Sequence, residues 1–223
     1  LSQLASSTPT TVGTEADDTR SLTIADMDLD TQLDIVVTND GMPVKVYTHP
    51  RSSDFSAVVP TLSTGGSADD AGTDAHFSLG LGDLDSNGYL DVIAGNQMFL
   101  NLGTTGVPGD FSAVEPHAFT QLGEDVKSVA VADLDGDGDQ DVVFSVGAKI
   151  LIYLNPTGSM DRFFQGSTHF ADVNPRELVH ASFSIAPVQV VRLVDLDSDG
   201  DYDLVAGSAA GAPSSYFLNN GAG

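Results

Sequence analysis

The sequence contains no cysteine and no tryptophan. Without thiols it can form no disulfide, no thiolate metal site and no cysteine nucleophile, and its redox compartment stays open. Basic residues are scarce: 8 Lys plus Arg face 32 Asp plus Glu, for a formal net charge of −24. A surface of that sign repels phosphate backbones and anionic headgroups, which excludes nucleic acid and membrane surfaces as expected partners. No apolar run approaches the roughly 18 residues of a spanning helix, so no membrane insertion is expected. Glutamate is also rare, with 4 Glu against 28 Asp. Glu suits helix interiors whereas Asp suits caps, turns and metal loops, so this ratio disfavours helices. No Asn-x-Ser/Thr sequon occurs.

What is present is enough to fold. Of 223 residues, 41% are hydrophobic and only 18% charged, unlike a disordered acidic tail. With 23 Gly, 10 Pro and abundant Ser and Thr, the composition predicts strands and loops in one domain spanning 1–223. The chain opens on Leu1 rather than Met, as a processed or excised chain would.

Internal repeats organise this composition. Segments 24–37, 81–94, 131–144 and 193–206 align on Asp26, Asp83, Asp133 and Asp195. A Phe-x-x-Val-x-Pro frame recurs at 55–60, 111–116 and 170–175, with a degenerate copy at 4–9. An apolar run follows each Asp segment, at 44–47, 97–100, 150–154 and 215–218, and the last three end at Asn101, Asn155 and Asn219 with Gly close behind. Strands are predicted before the Asp loops at 21–25, 128–132 and 188–194, and after them at 34–38, 91–94, 141–144 and 203–206. If the Phe-x-x-Val-x-Pro segment opens an outer strand, each of the repeats, about 4–54, 55–110, 111–169 and 170–223, is a four-stranded sheet. The expected fold is therefore all-β: a β-propeller of four-stranded blades, either a four-bladed ring or part of a larger propeller. A β-sandwich would give strands of similar length but has no reason to repeat its sequence.

Each Asp loop has the pattern of a calcium site. Asp at positions 1, 3, 5 and 9, with Gly at 6, folds hard oxygens around one ion, and the carbonyl at position 7 adds a ligand. The first loop offers Asp26, Asp28, Asp30, the Gln32 carbonyl and Asp34. The second offers Asp83, Asp85, Asn87, the Tyr89 carbonyl and Asp91. The third offers Asp133, Asp135, Asp137, the Asp139 carbonyl and Asp141, and the fourth Asp195, Asp197, Asp199, the Asp201 carbonyl and Asp203. Acidic turns need no fixed spacing, and crowded carboxylates repel without a cation. Up to four Ca²⁺ are expected, with loop 1 weakest because Thr31 replaces Gly, and loops 3 and 4 tightest. An EF-hand is excluded, since position 12 is Val37, Ala94, Phe144 or Ala206 where it needs Glu. Zinc lacks its Cys or paired His, and magnesium prefers fewer protein ligands.

The Asp-x-Asp-x-Asp-Gly-x-x-Asp loop between two strands, with Gly-Ala-Pro at 211–213 and Tyr-Phe-Leu-Asn-Asn-Gly at 216–221, resembles the FG-GAP/VCBS repeats. These form the blades of integrin α-chain propellers and of many secreted and cell-surface proteins. The resemblance implies one structural calcium per blade, in a hairpin loop away from the main ligand face. It implies seven blades in an integrin-like ring, whereas four are counted here.

No catalytic constellation is visible. His49, His76, His117, His169 and His180 are not spaced for metallohydrolase chemistry, and no nucleophile elbow or phosphate loop occurs. Arg192 is expected to pair with a neighbouring Asp, and Phe163, Phe164 and Phe170 to pack between blades. The expected function is a calcium-binding extracellular or cell-surface module, structural or adhesive, with a protein or glycan partner and neighbouring repeats or self-assembly as a further contact. A glycan-binding lectin is the alternative, and a polysaccharide lyase or hydrolase the less favoured one.

Overall fold

The computed structural model describes residues 10–14, 16–39, 42–50, 54–62, 78–103, 111, 117–119, 121–122, 126–156, 173–179, 186–209 and 211–221. They form four antiparallel sheets. The first is a meander of β1 (Thr19–Ala25), β2 (Asp34–Asn39), β3 (Met42–Tyr47) and β4 (Thr61–Leu62). The second repeats it with β5 (Leu79–Gly82), β6 (Asp91–Ala94), β7 (Gln97–Phe99) and β8 (His117–Ala118). The third has β9 (Val126–Ala132), β10 (Asp141–Val146), β11 (Lys149–Tyr153) and β12 (Arg176–Leu178). The fourth has three strands among the described residues: β13 (Val188–Val194), β14 (Asp203–Ser208) and β15 (Ser215–Phe217). The helix-poor expectation holds, and no described helix is long and apolar enough to cross a membrane.

The Phe-x-x-Val-x-Pro frame departs from expectation in one respect. Phe55–Ala57 is a single 3-10 turn capped by the Asp54 carboxylate, and the outer strand β4 starts only after Pro60. Outer strands β8 and β12 likewise begin right after Pro116 and Pro175. The reason is local: Asp54 accepts the Ser56 N–H and closes a turn, so the chain straightens only beyond the proline. The degenerate copy at 4–9 and the phenylalanines 163, 164 and 170 lie outside the described residues.

Consecutive sheets stack through their alternating side chains. In β6, Val92 and Ala94 join Val36, Val44 and Val46 of the first sheet. Ile93, on the other face of β6, joins Met98, Phe144 and Tyr153. In β10, Val142 and Phe144 face the second sheet, and Val143 faces Val188, Val191 and Leu204 of the fourth. Because both faces are buried, β6 and β10 read as continuous apolar runs. Phe119, Phe144 and Tyr153 meet edge to face, with centroids 4.9 to 5.7 Å apart. The first strands of the sheets are also neighbours: β1 packs on β5, β5 on β9 and β9 on β13.

Equivalent residues of these first strands follow one rule. Leu79 and Leu81 face the first sheet, Val129 and Val131 the second, and Val191 and Leu193 the third. The corresponding Leu22 and Ile24 of β1 are 62% and 56% exposed. Tyr216 and Leu218, at the far side of the fourth sheet, are exposed as well. Among the described residues no hydrophobic core joins the fourth sheet to the first.

Candidate metal centre

Every Asp loop joins the first strand of a sheet to the second, at the same end of the sheet. Its fold comes from backbone N–H groups drawn onto carboxylates. The position 1 aspartate clamps the loop. Asp26 accepts from Asp30 and Thr31, Asp83 from Asn87 and Gly88, Asp133 from Gly136 and Gly138, and Asp195 from Ser198 and Gly200. At position 5, Asp30, Asn87, Asp137 and Asp199 accept the N–H of residue 7, which is Gln32, Tyr89, Asp139 or Asp201. At position 9, Asp34, Asp91, Asp141 and Asp203 each take the N–H of the residue at position 2 at 2.7 to 2.8 Å.

Two residues per loop have positive φ. Position 6 was expected; position 4 was not. Position 4 is Leu29, Ser86, Gly136 or Ser198, with φ of 58 to 75°, and position 6 is Thr31, Gly88, Gly138 or Gly200, with φ of 71 to 100°. The one sequence signal for position 4 is Gly136 in loop 3. Only loop 1 meets both demands with residues that have bulky side chains, Leu29 and the β-branched Thr31.

This folding brings carboxylates together. Oxygens of Asp26, Asp28 and Asp34 lie within 4.8 Å of one another, as do those of Asp83, Asp85 and Asp91, of Asp133, Asp135 and Asp141, and of Asp195, Asp197 and Asp199. Positions 1, 3 and 9 thus converge in the first three loops, and positions 1, 3 and 5 in the fourth. The Asp139 side chain turns away to accept from Ser86 Oγ of loop 2 at 3.1 Å. The first three triads reach into the sheet: Asp34, Asp85, Asp91 and Asp141 are buried, whereas the fourth triad is exposed.

Without a cation these groups resist ionisation. Burial pushes the Asp141 carboxyl up to about 6, with Asp135 and Asp137 pushing the same way and the Asn155 and Leu134 N–H groups opposing. Burial raises Asp91 well above the usual carboxylate range, again with nearby Asp85 and Asp83 adding to it. Asp34 and Asp85 are raised by burial too, as are Asp28, Asp137 and Asp197. In loop 3, Asp135 Oδ1 is buried with no hydrogen-bond partner. Convergent carboxylate oxygens with an unpartnered member fit a hard divalent cation.

Sequence reasoning missed the role of Asn101, Asn155 and Asn219, which it took only as strand ends. Their backbone N–H groups complete position 9, bonding Asp91, Asp141 and Asp203 at 2.7 to 2.8 Å. His49 does the same for Asp34. The Gly of Asn-x-Gly is favoured by its backbone, with φ of 56° at Gly103 and 70° at Gly221, and a Cβ on Gly103 would also lie 2.1 Å from the Tyr89 ring. Among the described residues Arg192 pairs with no aspartate. Its Nη1 donates to the Val191 carbonyl at 2.7 Å and to Ser128 Oγ at 3.4 Å, because these acceptors lie on the seam with β9. Of the histidines, His49 stacks edge-on against Phe55 and His117 lies in β8; the other three lie outside the described residues.

The fold is shared with solved structures. A lectin of Agrocybe aegerita, described as recognising non-reducing terminal N-acetylglucosamine, superposes with a TM-score of 0.55 at 21% identity, over 90% of this chain and 49% of that one. The biofilm matrix protein Bap1 of V. cholerae superposes with a TM-score of 0.50 at 16% identity, over 83% of this chain and 23% of that one. The chain therefore spans about half of one relative and a quarter of the other, and at such identities the likeness concerns the fold alone. No curated protein matches in sequence. The segment from Asp83 to Phe144, holding loops 2 and 3, β6 to β9 and the start of β10, matches the FG-GAP-like repeat family. The similarity to the FG-GAP-like repeats is thus carried by residues 83–144 of this chain.

Proposed function

We propose that the four sheets are successive blades of a calcium-stabilised β-propeller that serves as an extracellular interaction module, without catalysis of its own. The observation that carries this reading is the fourfold recurrence of a carboxylate triad at one place in each sheet. One acidic cluster would be a solvated turn; four, each pinned by the same backbone bonds, are a repeated binding device. Calcium suits all-oxygen loops of this kind, and the millimolar calcium outside cells suits loops of modest affinity. The bound ion would be held by the position 1, 3 and 9 carboxylates in the first three loops and by those at positions 1, 3 and 5 in the fourth, and would neutralise their repulsion. The chain's own contribution is to fold nine residues so that those oxygens already converge.

The open outer faces support blades of a larger propeller. Leu22 and Ile24 occupy positions that are covered by the preceding sheet in every other unit. Partners would be protein or glycan, and further blades of the same kind would meet the exposed faces. A largely apolar cleft of about 270 Å³ lies between the third and fourth sheets, lined by Leu134, Ile152, Leu178, Leu193 and Phe217 together with Arg176, Glu177, Tyr202 and Asn219.

Native mass spectrometry with calcium and after chelation tests the reading. Four ions per chain, lost on chelation, are expected. Retention of no calcium, with the fold unchanged by chelator, would overturn it. A glycan array then separates a lectin from a protein-binding module.

A further inference from the structure

The four loops are joined to one another by a continuous chain of hydrogen bonds. It starts at Asp34, whose Oδ2 accepts the Met27 N–H at 2.8 Å. The carbonyl of Met27 accepts from Asn101 Nδ2, in the next sheet, at 2.9 Å. The N–H of Asn101 bonds Asp91 Oδ1, and Asp91 Oδ2 accepts the Leu84 N–H. The pattern then repeats. The Leu84 carbonyl accepts from Asn155 Nδ2 at 2.9 Å, Asn155 N–H bonds Asp141, and Asp141 accepts from Leu134. The Leu134 carbonyl accepts from Asn219 Nδ2 at 2.7 Å, and Asn219 N–H bonds Asp203.

Each asparagine therefore touches two loops. Its backbone holds position 9 of its own loop, and its side chain holds the peptide at position 2 of the loop before. The same Nδ2 also bonds the carbonyl at position 8 of its own loop: Leu90, Gln140 or Tyr202. Many of these groups are buried, where an unmade hydrogen bond is costly and the geometry is held tightly.

We propose that Asn101, Asn155 and Asn219 are positioning residues that couple the metal loops, so that an ion bound in one sheet favours binding in the adjacent sheet. This rests on the calcium reading above. An ion that draws position 9 of one loop into place orders the residue at position 2 through its N–H. The carbonyl of that residue orients the next sheet's asparagine, whose N–H sets position 9 of the next loop. The second ion then meets a loop whose ordering is already complete. Coupling of this kind amounts to roughly 5-fold or more in affinity.

The pair formed by loops 3 and 4 gives the cleanest test, because loops 2 and 3 also share the Ser86 to Asp139 bond. Amide resonances of Gly138 and Gly200, whose N–H groups bond Asp133 and Asp195, report loops 3 and 4 separately during a calcium titration. Asp195→Asn with Asp197→Asn disables loop 4 while removing two negative charges, the same change in net charge that one Ca²⁺ makes. Electrostatics at loop 3 is thereby matched, and only ordering differs. The expected result is a loop 3 midpoint raised about 5-fold or more. In an Asn219→His background, which copies His49 in the first sheet, the same double substitution should move the loop 3 midpoint less than 2-fold. Asn219→Asp, which keeps the shape and loses the donor, serves if Asn219→His does not fold. A loop 3 midpoint indifferent to loop 4, or a coupling that survives both Asn219 variants, overturns the proposal. If the amides shift with calcium but independently, the coupling fails and the calcium reading stands; if none shifts, both fail.

Discussion

Replacing Asp141 by Asn separates the backbone clamp this carboxylate provides from the metal ligation proposed for it. Asp141 is fully buried, and its two oxygens accept the N–H groups of Leu134 and Asn155, each at 2.7 Å. An amide of the same shape keeps one acceptor and turns its NH₂ toward the other N–H. One charge-assisted bond is lost, worth about 1.5–3 kcal/mol. Opposing this, the substitution removes a carboxylate that burial has pushed up to about 6 and that Asp135 and Asp137 repel. In chelator the net cost of Asp141→Asn is therefore below about 3 kcal/mol. With calcium, the native loop gains RT ln(1 + [Ca]/Kd), about 1.4 kcal/mol at ten times Kd and about 2.7 at a hundred times. The variant forfeits that gain, since a buried ligand has lost its charge. Its cost in calcium should exceed its cost in chelator by about 1.4–2.7 kcal/mol. Urea unfolding followed by far-ultraviolet circular dichroism, on both proteins in both conditions, measures the difference. Equal costs in calcium and chelator would refute the ligand role and leave Asp141 as a backbone clamp.

Three further outcomes are expected. Thr31 holds φ of +71° where the other loops have glycine, so Thr31→Gly should stabilise the protein by about 1 kcal/mol and tighten loop 1; a lower melting temperature would contradict this. The metal-free protein should lose stability as pH rises from about 4 to about 7. Asp34, Asp85, Asp91 and Asp141 have raised folded-state values, so the folded state binds more protons than the unfolded one across that window. Saturating calcium should abolish the decline, and calorimetry of metal-stripped protein that showed a rise instead would contradict the burial of these carboxylates. Gly82→Ala would place a Cβ 2.2 Å from Gln140 Oε1 and 2.6 Å from Val131 Cγ1. It should cost about 1–3 kcal/mol by urea unfolding, with part recovered by Val131→Ala, and a neutral Gly82→Ala would show that the seam can yield.

Gly82 also shows where the fold could not be read. Strands flanking three of the loops are legible because β-branched residues alternate or run continuously there. The strand before loop 2 is Leu-Gly-Leu-Gly, a poor strand sequence by local preference. It is a strand because its glycines let β9 approach: Cβ atoms on Gly80 and Gly82 would meet Val129 and Val131 at 3.0 and 2.6 Å. That requirement comes from residues some fifty positions away and has no signature within the strand itself. The turn at Phe55–Ala57 was misread for the opposite reason. A local bond from Ser56 to Asp54 outweighs the β preference of the phenylalanine and valine around it.

The site divides along the same line. Each Asp loop is nine consecutive residues, so three of its carboxylates can converge once the chain takes positive φ at positions 4 and 6. The 1-3-5-9 spacing and the glycine at 6 carry that information within one segment. Asn101, Asn155 and Asn219 do their work on carbonyls 74, 71 and 85 residues away. Nothing near them in sequence names those partners. What the sequence does show is their recurrence: three asparagines at one place in the last three units, with His49 there in the first. A residue kept at the close of an edge-ward strand, where any polar cap would satisfy position 9 through its backbone alone, implies a demand on its side chain. The demand is the neighbouring loop's carbonyl. Because that bond crosses from sheet to sheet, the Asp loops are parts of one structure rather than four separate ornaments on it.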